Sequence, residues 1–185
     1  MVTSNQITPG MTLEIKKQLF RVESVVKVTV PKGAPFIKTK LRDLTLNKVL
    51  EKNFKLNQQV SDVTLKEHDL EFLYLEGKNF LFLDINTLEQ IYVPLHIVGD
   101  KTDYLKEGTH VIGQFYGDMP SAVDLPQFME LMVARTEGGE NAGPLSNVNK
   151  VAILETGAKV EVPLFIEDGD IIKVDTKSAE YIQRV

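Results

Sequence analysis

Short runs of β-branched and aromatic residues, each closed by Gly, Pro, Asn or Asp, recur along the whole of this chain. Leu19 to Val28, Phe36 to Leu41, Phe72 to Leu75, Phe80 to Leu83, Ile91 to Val93, His110 to Tyr116, Met129 to Val133 and Ile171 to Asp175 all have this character. Helical patterning is scarce. The best short candidate is Asp103 to Glu107, closed by Gly108. Many short strands at such spacing favour small sandwiches or barrels over a parallel sheet with crossover helices. The expected fold class is therefore all-β. Breaks near residues 63–66 and 126–128 divide the 185 residues into three pieces, read as 1–64, 65–127 and 128–185. Each is about 60 residues, near the lower limit for a domain with its own core. Pieces of that size hide their sheet edges by closing into SH3-like or OB-type barrels. The later two show no sequence periodicity that would mark them as repeats.

Two hairpins are legible. Gly77 supplies the turn between Phe72–Leu75 and Phe80–Leu83. The other joins Leu19–Val28 to Phe36–Leu41 through Val30-Pro31-Lys32-Gly33-Ala34-Pro35, where one Gly and two Pro mark a loop. Its second strand alternates, with Ile37 reading as out of phase. Lysines on both flanks make this hairpin basic, and Lys27, Lys38, Lys40 and Arg42 become candidates to face a polyanion such as RNA.

The net charge of -5 conceals an asymmetry. Residues 1–63 carry 11 Lys/Arg against 5 Asp/Glu, a net +6, and residues 64–185 carry 10 against 21, a net -11. A basic end beside an acidic remainder suggests that the first domain faces a polyanion. There is no Cys, which excludes disulfides, thiolate metal sites and cysteine nucleophiles. His68, His96 and His110 lack metal-ligand spacing. No nucleophile elbow or phosphate-binding loop is present, so an enzyme is not expected. Neither a cofactor nor a metal is indicated. No apolar run reaches membrane-spanning length and the N-terminus carries no signal-peptide pattern, so no membrane partner and a cytoplasmic location are expected.

Near the C-terminus Lys150, Ala152, Gly157, Val160, Val162-Pro163, Ile166 and Gly169 fall at fixed intervals. They resemble the signature of the bacterial elongation factor P family. The likeness extends through Ser4-Asn5, Gly10, Lys32-Gly33, Phe36, the run Val49 to Lys55, Tyr74, Gly77, Thr87 and Glu89-Gln90. It implies a KOW/SH3-like first barrel and two OB-type barrels arranged in an L. It also implies a monomeric translation factor that binds ribosomal RNA and the P-site peptidyl-tRNA. Such a factor sits between the P and E sites and relieves stalling at consecutive prolines. Lys32 corresponds to the family's tip residue, which many relatives extend covalently, so a lysine-modifying enzyme is a further partner the resemblance admits. Tyr181 and Arg184 match C-terminal residues expected to face tRNA or the small subunit. Core packing is an equal reading for Tyr181.

The loop departs from the family pattern Lys-Pro-Gly-Lys-Gly-x-Ala-Phe. Here Thr29 to Phe36 place Pro31 directly before Lys32, with Gly33, Ala34 and Pro35 after it. Two prolines fix φ at two positions and reduce the loop's entropy. A pre-stiffened loop is expected to need less modification, or a different one. The family's Gly-Asp-Thr triplet is missing from Gly138 to Pro144, so no codon contact is carried over. A divergent paralogue fits these departures. A general RNA-binding barrel module is the alternative class, although the acidic later domains argue against simple groove binding.

Overall fold

The computed structural model describes residues 1–137 and 149–185. The stretch Gly138 to Pro144 lies outside the described residues. Among them the apolar runs become sixteen strands. The first six are β1 (Val2–Thr3), β2 (Thr12–Ile15), β3 (Gln18–Val28), β4 (Phe36–Asp43), β5 (Val49–Lys55) and β6 (Gln59–Asp62). They form one sheet in the order β1-β6-β2-β3-β4-β5. Its core holds Ile7, Leu13, Phe20, Val22, Ile37, Leu41, Phe54 and Val60. Ile37, Thr39 and Leu41 are buried while Lys40 is exposed. Ile37 is thus in phase with the core positions, and Phe36 belongs to the opposite face with Lys38 and Lys40. Period-2 alternation settles this once the burial of Leu41 fixes the phase.

The next five strands are β7 (Lys66–Glu76), β8 (Asn79–Asp84), β9 (Gln90–Pro94), β10 (His110–Tyr116) and β11 (Met119–Asp124). The last five are β12 (Phe128–Glu137), β13 (Asn149–Leu154), β14 (Lys159–Pro163), β15 (Ile171–Asp175) and β16 (Glu180–Arg184). Their sheets run β11-β10-β7-β8-β9 and β14-β13-β12-β15-β16. In both, the first strand in sequence lies at the centre of the sheet. Two strands lie on each side of it. Numbered within each sheet, the orders are 5-4-1-2-3 and 3-2-1-4-5, which are the same order read in opposite directions. The repetition that the sequence hides is present in the topology.

The helical segment lies earlier than the sequence suggests. It comprises α1 (Leu95–Val98) and a 3-10 turn (Gly99–Tyr104). Pro94 precedes α1 in extended conformation, and Gly99 at φ 64° ends it. Of the expected helix Asp103 to Glu107, Asp103 and Tyr104 end the 3-10 turn, and Tyr104 and Leu105 are buried. Their apolar surface is worth more in a core than on an isolated turn of helix.

One hairpin device recurs in each sheet. Asp43 Oδ1 accepts from the backbone N–H of Thr45 and Leu46 at 2.8 and 2.9 Å. Asp84 Oδ1 accepts from Asn86 and Thr87 at 2.9 and 3.0 Å. Asp175 Oδ1 accepts from Lys177 and Ser178 at 2.8 and 3.2 Å. Four residues past each Asp the backbone turns left-handed, at Asn47 (φ 54°), Leu88 (φ 59°) and Ala179 (φ 58°). The carboxylate satisfies turn donors that no strand can reach.

The chain packs into two compact units, Met1–Lys66 with Phe115–Ser121, and Glu67–Gln114 with Ala122–Val185. In the first unit the Arg21 guanidinium donates to the Ser121 carbonyl. In the second, Tyr104 joins the core of Leu131, Val133, Leu154, Val162, Ile166 and Ile172.

Candidate functional site at the Lys32 hairpin

Strands β3 and β4 pair from Phe20↔Asp43 to Val28↔Phe36. The register slips between Val22 and Ser24, so Glu23 is the bulge residue. Beyond Val28 the ladder ends. Pro31 cannot donate a ladder hydrogen bond, and residues 31–32 form a turn. Lys32 stands exposed at that turn, with Pro31, Gly33 and Ala34 also exposed and Pro35 and Phe36 half-buried. Val30 closes the loop over Gly33. A methyl group at Gly33 would lie 2.8 Å from Val30 Cγ2, far inside van der Waals contact. The family's pattern at these positions gives no hint of this contact.

Cross-strand register decides which cations can act together. Lys38, Lys40 and Arg42 share the outer face of β4, while Lys27 pairs with Ile37 and belongs to the other face. The outer trio differs in freedom. Lys38 Nζ lies 3.1 Å from Glu51 Oε2. Arg42 is held on both sides, by the Glu23 carboxylate and by Asn47 Oδ1 at 2.9 Å. Lys40 is exposed and sits opposite Glu51 on β5. Ser24, Val26, Lys38, Lys40 and Glu51 line a shallow cleft on this face. Ser24 and Val26 escape sequence reasoning, because only the register places them beside the lysines. Lys55, opposite Phe36, adds a further cation on the same face.

Elsewhere the candidates separate. Tyr181 pairs with Val174 and packs half-buried against the third sheet's core, which favours its structural reading. Arg184 Nη1 lies 3.7 Å from Asp170, and its guanidinium stands 5.6 Å from the Phe165 ring centroid. Half of that side chain is still open to solvent. His68 Nδ1 is 2.7 Å from Asp84 Oδ2, so its neighbour is the turn carboxylate. Among the described residues no group of three His, Asp or Glu could hold a metal ion. Among the described residues no helix is long and apolar enough to cross a membrane.

An all-β chain with a solvent-directed lysine at the tip of a basic hairpin belongs to the class of proteins that present a cation on a loop. Comparison with known proteins narrows this. The family model "Elongation factor P (EF-P) KOW-like domain" matches residues 3–60, the corresponding OB-domain model matches 65–123, and "Elongation factor P, C-terminal" matches 129–184. "Elongation factor P 1" of Protochlamydia amoebophila is 62% identical over the full length of both chains. "Elongation factor P 1" of Chlamydia caviae is 42% identical over the same full span. "Elongation factor P" of Natranaerobius thermophilus is 40% identical over all of this chain and 98% of its own. The chain belongs to the elongation factor P family, a family of translation elongation factors. Among solved structures, "Eukaryotic translation initiation factor 5A from Methanococcus jannaschii" is similar in fold. Its TM-score is 0.52 at 12% identity, covering 68% of this chain and 92% of that one.

Proposed function

We propose that this factor binds the ribosome between the P and E sites and stimulates peptide-bond formation at consecutive prolines. Its domains are taken as 1–64, 65–127 and 128–185. The observation that carries the reading is Lys32, exposed at the tip of a basic hairpin on a domain of net +6. A compact cation on a long stem can reach phosphate and ribose within a narrow RNA channel. Proline's rigid ring disfavours productive geometry, and holding the peptidyl-tRNA end in place supplies orientation rather than chemistry. The partners are ribosomal RNA, the P-site peptidyl-tRNA and an enzyme that modifies Lys32, and the setting is the cytoplasm. The Pro31–Pro35 bracket reduces what modification must add. Tyr181 and Arg184 are assigned the distal contact to tRNA or small subunit, with Arg184 the more available of the two.

The test is a poly-proline reporter in cells lacking their own elongation factor P. Wild-type protein restores synthesis and Lys32→Ala does not. Full rescue by Lys32→Ala would sink this role, and tight binding of free single-stranded RNA would then favour a general RNA-binding module. The intact mass of the Lys32 peptide from native protein reads its modification directly.

A specialised paralogue is the second reading. It is favoured by the altered loop and by relatives named "Elongation factor P 1". A reporter panel with varied residues flanking the prolines separates it from a general factor.

A further inference from the structure

Three side chains form a row across the first sheet. Ser24 of β3 lies opposite Lys40 of β4, and Lys40 lies opposite Glu51 of β5. The Glu51 carboxylate passes over the lysine it faces. It reaches diagonally to Lys38, with Oε2 3.1 Å from Nζ, two positions along β4. Among the described residues Lys40 makes no ion pair. Lys38 and Glu51 are 43% and 51% exposed, so their contact is screened and costs little to break. Arg42 of the same face differs, being held on two sides by Glu23 and Asn47.

Glu51 is thus the carboxylate in the cleft that Ser24, Val26, Lys38 and Lys40 line. Lysines two positions apart on one strand face have Cα atoms about 6.8 Å apart, and their long stems can converge on one anion. The Ser24 hydroxyl, beside Lys40, can donate to the same anion. In the free protein Glu51 takes one of those places. A phosphate of a polynucleotide has an advantage over it. Binding a polynucleotide releases condensed counterions, a gain that one carboxylate cannot match. The net +6 of residues 1–63 supplies the surrounding field.

We propose that Glu51 is an internal competitor for RNA: it occupies Lys38 in the free factor and yields the Lys38–Lys40 cleft to a backbone phosphate on binding. Its charge then opposes the bound phosphate, so the cleft does not hold RNA that no other contact secures. The inference rests on the RNA-facing reading of the Lys32 hairpin and adds a restraint to it.

The experiment measures the affinity of the full-length factor for ribosomes with and without P-site tRNA, at low and at high salt. Glu51→Gln is expected to tighten binding about threefold at low salt, the scale of one exposed charge contact, and the gain should vanish near about 0.5 M salt. A gain that needs the tRNA assigns the phosphate to tRNA, and a gain without it assigns the phosphate to ribosomal RNA. Glu14→Gln makes the same charge change on β2 and is expected to leave affinity unchanged. In a Lys38→Ala, Lys40→Ala background Glu51→Gln should have no effect. Thermal melts verify the fold of each variant. An equal gain from Glu14→Gln, or a gain that persists without the two lysines, would mean general charge and overturn the inference. So would unchanged or weaker binding by Glu51→Gln. Those outcomes leave the Lys32 reading standing, because the poly-proline reporter decides it separately. Absence of ribosome binding by the wild-type factor would overturn that reading and the inference together.

Discussion

Lys106 Nζ lies 3.2 Å from Glu155 Oε1, and that same oxygen accepts the Met132 backbone N–H at 3.0 Å. A residue from the middle of the chain thus shares with β12 a carboxylate carried by the turn that follows β13. The Met132 N–H, then burial opposing it, then Lys106 set the Glu155 ionisation, and the result lies below the usual carboxylate range. A carboxylate depressed in the folded state adds stability above its unfolded pKa. That stability is lost as pH falls through the folded value. Glu155→Gln should therefore flatten the acid limb of the stability curve, measured by urea unfolding between about pH 5 and pH 2. The ion pair itself is partly exposed. A Lys106/Glu155 double-mutant cycle is expected to give only about 0.5 kcal/mol.

Tyr104 is 8% exposed within the third sheet's core, although it is the last residue of the 3-10 turn that follows β9 of the middle sheet. Burial pushes its phenol up. Tyr104→Ala should cost about 3 kcal/mol, the range for removing a large buried aromatic. Because the residue ties two sheets together, calorimetry should show one unfolding transition becoming two.

Leu88 holds φ 59° at 73% exposure in the Asp84 hairpin. A branched side chain in the left-handed region is strained by about 1–2 kcal/mol. Its exposure means that little packing is lost on truncation. Leu88→Gly is expected to raise stability by about 1 kcal/mol, seen as a higher urea midpoint with an unchanged slope. Leu88→Val should lower it, since β-branching tolerates that backbone less well.

Asp84 is 2% exposed and accepts from two turn amides while lying 2.7 Å from His68 Nδ1. The His68 contact holds its carboxyl below the usual range, with the Thr87 and Asn86 amides adding to it. Asp84→Ala should cost about 2–3 kcal/mol by leaving turn amides without a partner. Asp84→Asn keeps one acceptor and should cost less, with the order read from thermal melts.

Gly33→Ala sets a methyl against Val30 Cγ2 at 2.8 Å on the hairpin that presents Lys32. Global stability should change by less than about 0.5 kcal/mol, as for surface sites. Poly-proline reporter activity should nevertheless fall, because the displaced turn carries Lys32. Adding Val30→Ala should restore most of it. Loss of activity with no rescue would mean that Gly33 acts by another route than this contact.

The sequence by itself determined the all-β class, the Lys32 hairpin and the division of charge. These rest on local properties: β-branched runs, prolines that fix φ, and net charge along the chain. Tertiary structure alone decided which cations share a face. Composition reads Lys27, Lys38, Lys40 and Arg42 as one basic patch, but register sends Lys27 to the opposite face and ties Arg42 to Glu23 and Asn47. The common order of the two later sheets and the role of Tyr104 were equally invisible. Strand order and helix placement depend on contacts far apart in the chain, and the helical turn ends at Tyr104, whose ring is buried in a core 25 or more residues away.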